Sequence, residues 1–267
     1  EFESEDVIRR VYEFTEQVKD LKTKLTNDTQ DKVVRTAQSD VEERRMTEII
    51  EFENKYNNVV AWMTNIGESF LTQHRDMGID VAYVSDYLDN HQQMAADLKE
   101  NEAEFRHVKE TSEKIVASTE SRELAQQIVE NISQMELKWN KLKRSVDERI
   151  KVGLDYLKFI KLVNQFRVSS FNLQELFKTL SQDLASSSAF EQHVQEKLNS
   201  YRDLYEQLIQ SSQSSIEVLK RADHEILKLN SNHMISDIEI MVNEANSLFN
   251  SIKSTYEIWR ERLNSKL

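Results

Sequence analysis

Proline and cysteine are both absent from this sequence, and glycine occurs three times in 267 residues. Proline and glycine punctuate turns and interrupt strands, so a chain this long with almost none of either is read as nearly all helix. Without cysteine there are no disulfides, which is compatible with a reducing compartment. No apolar run approaches the ~18–20 residues of a membrane span, and no signal peptide is visible. Basic residues are outnumbered, 35 Lys and Arg against 47 Asp and Glu, for a net charge of −12. An acidic surface repels phosphate backbones and anionic lipid, which argues against nucleic acid and membrane surfaces as partners. The apolar share, 39%, lies below the ~45–50% of an ordinary compact domain. That balance suits elongated bundles with thin cores. The abrupt start at Glu1-Phe2 reads as that of an excised piece.

What is present is heptad periodicity. Phe52, Tyr56, Val59, Met63, Ile66 and Phe70 follow in steps of 4, 3, 4, 3 and 4, a coiled-coil seam. Trp62 and Leu71 widen it into the stripe of a helix packed on two neighbours. A second pattern follows Gly78, with Val84, His91, Leu98 and Phe105 beside Tyr87, Met94, Val108 and Ile115. It lapses near Ser118–Arg122 and resumes through Ile128, Ile132, Met135, Trp139, Leu142 and Val146. Three amphipathic helices joined by short breaks make a three-helix bundle. Gly78 falls between two seams, where a helix end commonly uses a residue with positive φ. Gly67 lies inside a helix, where two readings stand: a tolerated glycine on a solvated face, or the close approach of a neighbouring helix.

The pattern then repeats. No break follows Trp139; the helical pattern continues past Gly153 into Leu157, Ile160, Val163, Phe166, Leu173, Leu176 and Leu180. The last helix of one bundle is thus the first of the next, and Gly153 is expected to permit a modest bend within it. RMTEIIEF, ending at Phe52, parallels RIKVGLDYLKF, ending at Phe159, an offset of 159 − 52 = 107 residues. A loop is expected at Ala185–Ala189 and another at Asn230–His233. Between them runs a seam through Val194, Tyr201, Leu208 and Leu219, and a final helix carries Ile238, Ala245, Leu248, Ile252, Trp259 and Leu263.

Consecutive three-helix units of this length, fused through a shared helix, resemble spectrin repeats. Phe52, Val59 and Trp62 are similar to that family's first-helix pattern, Gly78-Ile79-Asp80 to its turn into the second helix, and Trp139 and Leu142 to the tryptophan-x-x-leucine of its third. His91 falls where many such repeats carry a histidine. The stretch WMTNIGESFLTQHRDMG is similar to repeats of Rho exchange factors of the Trio and kalirin type, and of proteins pairing a Sec14 module with spectrin repeats. The resemblance implies an all-α fold of tandem three-helix coiled-coil bundles joined by a continuous helix into an elongated rod. It also implies a cytoplasmic setting.

The second unit departs from the pattern. Its first-helix tryptophan slot, 62 + 107, is Ser169, and Ser212 and Ser215 occupy seam slots, which suggests a loosely packed core or a compliant zone. Trp259 lies 100 residues after Phe159, whereas Trp139 lies 87 after Phe52. The difference is close to two heptads and predicts a longer second hairpin. The units expected are 44–150 and 151–267, with 1–43 as a remnant of an upstream repeat or an N-terminal helical extension. There Val7, Val11, Phe14, Val18, Leu21 and Leu25 form a seam that TNDTQD interrupts. Two readings stand: the last helix of an upstream repeat, or a truncated hairpin folded onto the first unit.

Catalytic signatures are missing. His224-Glu225 and His233 are nine positions apart at their histidines, whereas a zinc-protease helix needs four. His74 and Asp76 form a loop pair without further ligands, and His91 reads as a core histidine. Pairs such as Glu43 and Arg45 suit any charged helix face. The Ser186–Ser188 run reads as a loop. No catalytic, cofactor or metal residues are assigned. The expectation is a non-enzymatic spacer and protein-binding scaffold of a larger cytoskeletal or signalling protein, with a monomer favoured over a dimer. The alternative is a dimeric helical membrane-curving module, which usually needs a basic concave face.

Overall fold

A computed structural model describes residues 2–182, 188–221 and 229–264, with backbone only for 2–12, 33, 34, 37, 181, 182, 188–190 and 264. Helix α1 spans Phe2–Trp62 and passes through one π-helical turn, Met63–Glu68, into the short α2, Ser69–Gln73. Helices α3 (Val81–Ser118) and α4 (Arg122–Gln182) follow, then α5 (Ser188–Arg221) and α6 (Ser231–Asn264). Among the described residues there is no strand.

The fold is all-α: two three-helix bundles that share α4. The C-terminal part of α1, with α2, α3 and the first half of α4, encloses Phe52, Met63, Leu98, Ile132 and Trp139. The second half of α4 packs with α5 and α6 around Phe166, Phe177, Leu208 and Ile238. The break between α3 and α4 is three residues long, and the Ser121 hydroxyl accepts the Leu124 N–H at 3.2 Å as an N-cap. It falls where the seam lapses in the sequence. The 61 residues of α4 carry one bundle into the next without interruption.

At the N-terminus, α1 is unbroken through TNDTQD. Thr26 and Thr29 donate their hydroxyls to the carbonyls of Lys22 and Leu25 at 2.8 and 2.7 Å, which satisfies them within the helix. Phe14 and Leu25 are 68% and 70% exposed. The folded-back hairpin is therefore overturned; this part of α1 continues straight into the first bundle's helix, with Phe14, Val18, Leu21 and Leu25 uncovered.

The π-helical turn corrects the first seam. It inserts one extra residue, so the buried positions run Met63, Gly67, Leu71, and Ile66, expected in the seam, is 48% exposed. Gly67 is buried, and a Cβ there would lie 2.3 Å from Leu142 Cδ2. Close approach of a neighbouring helix, not a solvated face, is the reason for glycine.

Aromatic stacking marks the middle of each bundle. Trp139 stacks on Phe105 at 4.6 Å and lies 6.0 Å from Trp62. In the second bundle Phe249 stacks on Tyr205 at 4.2 Å, and Phe166 on Tyr201 at 4.7 Å. Trp259 sits elsewhere, beside Phe177 and Tyr256. Phe249 is thus the ring counterpart of Trp139. Counted from it the spacing is 249 − 159 = 90 residues, near the 139 − 52 = 87 of the first unit. The length of the second hairpin itself depends on 222–228, outside the described residues. Ser170, next to the expected tryptophan slot, is buried and hydrogen-bonds the Tyr201 hydroxyl at 2.8 Å. Ser212 and Ser215 are buried as the seam requires, and the Ser212 hydroxyl turns back to the Ile209 carbonyl at 2.7 Å.

Candidate functional site: the junction between the bundles

The most elaborate polar chemistry in the described residues lies where the bundles meet. Helix α2 ends at Gln73, and an irregular segment leads to α3. Asp80 is the N-cap of α3 and accepts the Tyr83 N–H at 3.0 Å. Gly78 has φ +73°, the positive value expected from sequence. Its place differs from the expectation, because the helix has already ended and the glycine turns the connecting loop.

A helix end leaves backbone carbonyls without intrahelical donors and carries partial negative charge. Here the donor comes from another helix. The Arg149 guanidinium, from α4 and fully buried, donates to the Leu71 carbonyl through Nη2 and to the His74 carbonyl through Nη1, each at 2.7 Å. Burial lowers its pKa to about 10; the nearby Tyr87 acts in the opposite direction, and Arg75 adds to the lowering. A cation is costly to bury, and two charge-assisted hydrogen bonds at the negative end of a helix offset that cost. Tyr156, two turns further along α4, donates to the Gly78 carbonyl at 3.1 Å. From the second bundle, the Asn230 N–H donates to the Arg75 carbonyl at 3.3 Å. The loop between α2 and α3 is thus tied to the shared helix and to the loop before α6.

Apolar packing follows the same path. Met77, Tyr87 and Leu88 belong in sequence to the first bundle, yet they pack in one cluster with Val152, Tyr156 and the second core. Gly153 is buried at the crossing. A Cβ there would lie 2.8 Å from Leu88 Cδ2 and 3.3 Å from Tyr87 Cε1. This glycine lets α3 approach the shared helix closely.

His91 is a core histidine, as its position suggests, and it belongs to this junction. Its Nδ1 lies 2.8 Å from the Tyr87 carbonyl and its Nε2 3.4 Å from Arg149 Nη1. Its ring meets Tyr87 at 3.9 Å and Phe70 at 4.8 Å. Burial lowers its pKa to about 4; the hydrogen bond to the Tyr87 carbonyl opposes this, and Arg149 and His74 reinforce it. Burial raises the Tyr87 hydroxyl well above the usual phenol range. That hydroxyl is buried without a hydrogen-bond partner among the described residues.

The remaining candidates do not converge. His74 turns to the Phe70 carbonyl at 3.1 Å, and Asp76 is exposed. His233 pairs with Asp237 at 3.8 Å, while His224 and Glu225 lie outside the described residues, as do Ser186 and Ser187. Glu43 and Arg45 are exposed on α1. Among the described residues no group of three or more His, Cys, Asp or Glu could hold a metal ion, and no helix is long and apolar enough to cross a membrane. Arg149 is the central residue that sequence reasoning missed. The signal was present: the seam Ile128, Ile132, Met135, Trp139, Leu142, Val146 reaches 149 on its next step of three. A charge on a seam slot is a buried charge in need of a partner.

Residues 47–152 match the family model of the spectrin repeat. The match takes in the whole first bundle and stops one residue before Gly153. Over those residues the chain is similar to the spectrin repeat. No curated protein matches the chain.

Proposed function

We propose that this chain is a non-catalytic rod that spaces and orients the parts of a larger cytoplasmic protein and offers its helix faces to other proteins. In this reading 44–150 and 151–267 are tandem spectrin-like repeats, and 1–43 is the last helix of a preceding one. The uncovered seam of α1 supports the third assignment, because α4 shows how a 61-residue helix serves two bundles in turn. The resemblance of WMTNIGESFLTQHRDMG to repeats of Rho exchange factors supports a signalling parent, in which the rod would position a catalytic domain or bind adaptor proteins.

One observation carries the reading: the shared helix is braced at the crossing by Arg149, Tyr156, Gly153 and Asn230. A bare linker helix transmits direction only as well as it resists bending. A linker flanked by hydrogen-bonded loops from both sides holds its neighbours in fixed relation.

Small-angle scattering with in-line mass determination tests this. Two bundles of ~33-residue helices at ~1.5 Å per residue span ~100 Å, and the free part of α1 adds ~60 Å. A monomeric particle on the order of 150 Å long agrees with the spacer. A compact particle, or a curved one of twice the mass that binds anionic vesicles, would refute it in favour of the membrane module.

A further inference from the structure

We propose that the junction is a proton-sensitive clasp: a proton on Nε2 of His91 drives the Arg149 guanidinium off its helix cap and releases the two bundles from each other. The inference rests on the spacer reading, since it concerns how that rigidity is regulated.

The hydrogen bonds determine where the proton goes. Nδ1 faces a carbonyl oxygen, that of Tyr87, at 2.8 Å, so Nδ1 carries the ring hydrogen. Nε2 is then the lone pair of a neutral ring, and Arg149 Nη1 donates toward it from 3.4 Å. Both nitrogens are committed to the neutral tautomer. A proton on Nε2 removes an acceptor and sets a second positive charge against the first.

The surroundings offer no relief. From α4 comes the guanidinium itself; from the segment after α2 comes His74, its ring 6.1 Å from that of His91. Phe70 and Tyr87 are uncharged neighbours. The charged or titratable groups that act on His91 are Arg149 and His74, both of which oppose a proton there, and its ring is fully buried.

Release of Arg149 reaches the second bundle through the loop it caps. The carbonyls of Leu71 and His74 lose their donor. The next carbonyls along, those of Arg75 and Gly78, are the ones that bind Asn230 and Tyr156. Loosening this segment therefore loosens both hydrogen bonds that join it to the linker and to the second bundle.

The direction with pH follows by linkage. In the closed junction burial first, then Arg149 and His74, lower the His91 pKa to about 4; opening that also brings the ring to solvent restores the ordinary 6.5. Between these values the open form binds a proton that the closed form does not. Opening is therefore nearly unaffected well above pH 6.5 and grows progressively as pH falls toward 4, by at most roughly 300-fold when the ring is fully exposed in the open form.

Hydrogen exchange of the Asn230 amide in the full chain, corrected for intrinsic rates, reads the opening directly. From pH 7.5 to 4.5 the opening constant is expected to rise by up to roughly 70-fold in the wild type, and by less than about threefold in His91→Gln. A flat wild-type profile, or the same rise in His91→Gln, would overturn the clasp. Imidazole ¹⁵N shifts of the wild type decide the matter should that variant fold poorly. The Nδ1–H tautomer with a titration well below 6.5 supports the clasp; the other tautomer, or a titration near 6.5, refutes it. An Asn230 amide already unprotected at pH 7.5 overturns the spacer reading itself, whereas strong protection at both pH values removes only the clasp.

Discussion

Replacement of Gly67 by alanine separates two physical readings by the sign of the effect. On a solvated helix face alanine stabilises by ~1 kcal/mol relative to glycine. Here the new Cβ would meet Leu142 Cδ2 at 2.3 Å, Cδ1 at 3.1 Å and Cγ at 3.3 Å. All three atoms belong to one isobutyl group in a side chain only 2% exposed. Rotation about its last bond cannot clear the contact, because Cγ is already too close. Overpacking of this kind costs ~1–3 kcal/mol. With the cost near the upper end and the helix gain subtracted, Gly67→Ala is expected to destabilise by ~2 kcal/mol. Leu142→Ala alone costs ~3 kcal/mol through lost burial and a cavity. In the double variant the obstacle is gone and the helix gain returns, so the pair should lose only ~2 kcal/mol, where addition gives ~5. The expected coupling is therefore ~3 kcal/mol, measured by urea unfolding followed through tryptophan fluorescence. Gly67→Ala stabilising by ~1 kcal/mol, with an additive cycle, would refute the close approach and the π-helical register that produces it.

Other substitutions address the junction. Gly153→Ala places a Cβ 2.8 Å from Leu88 Cδ2 and should lower stability by ~1–2 kcal/mol despite its higher helix propensity; equilibrium unfolding checks the sign. Arg149→Met removes two charge-assisted hydrogen bonds worth ~1.5–3 kcal/mol each and relieves a buried charge, for a net loss of ~2 kcal/mol. It should also raise the pKa of His91, read by NMR titration, because a neighbouring cation is gone. Tyr87→Phe deletes a buried hydroxyl that has no partner and should leave stability unchanged or raise it by up to ~1 kcal/mol; a loss beyond ~1 kcal/mol in thermal unfolding would contradict that. Gly78→Ala forces alanine to φ +73° with its Cβ 2.6 Å from Tyr83 Cβ, and should cost ~2 kcal/mol in the same assay.

Much of the fold is legible in the sequence because the heptad seam is a direct record of burial. The lapse at Ser118–Arg122 is the α3–α4 break, the unbroken pattern past Trp139 is the shared helix, and the positive φ of Gly78 follows from its place between seams. The seam failed where the helix itself changed. A π-helical turn adds a residue without altering composition, so Ile66 and Gly67 exchange sides unseen by any count of threes and fours. The two tryptophans are not equivalent in packing. Trp139 and Trp259 share a residue type, but the ring that stacks in the middle of the second bundle is Phe249. The junction was the least legible part. Gly153 looks like a weak point in a helix until Leu88 is seen beside it. Arg149 looks like surface charge until the carbonyls of Leu71 and His74, which belong to the end of another helix, are placed against it.

A junction braced in this way should hold the two bundles at one fixed angle. The absence of cysteine makes site-directed spin labelling simple. Labels at Glu110→Cys in α3 and Lys253→Cys in α6, both exposed sites, report the distance between bundles by pulsed electron resonance at neutral pH. A single narrow distribution that broadens in Arg149→Met is expected. A broad or multimodal distribution in the otherwise unaltered chain would contradict it.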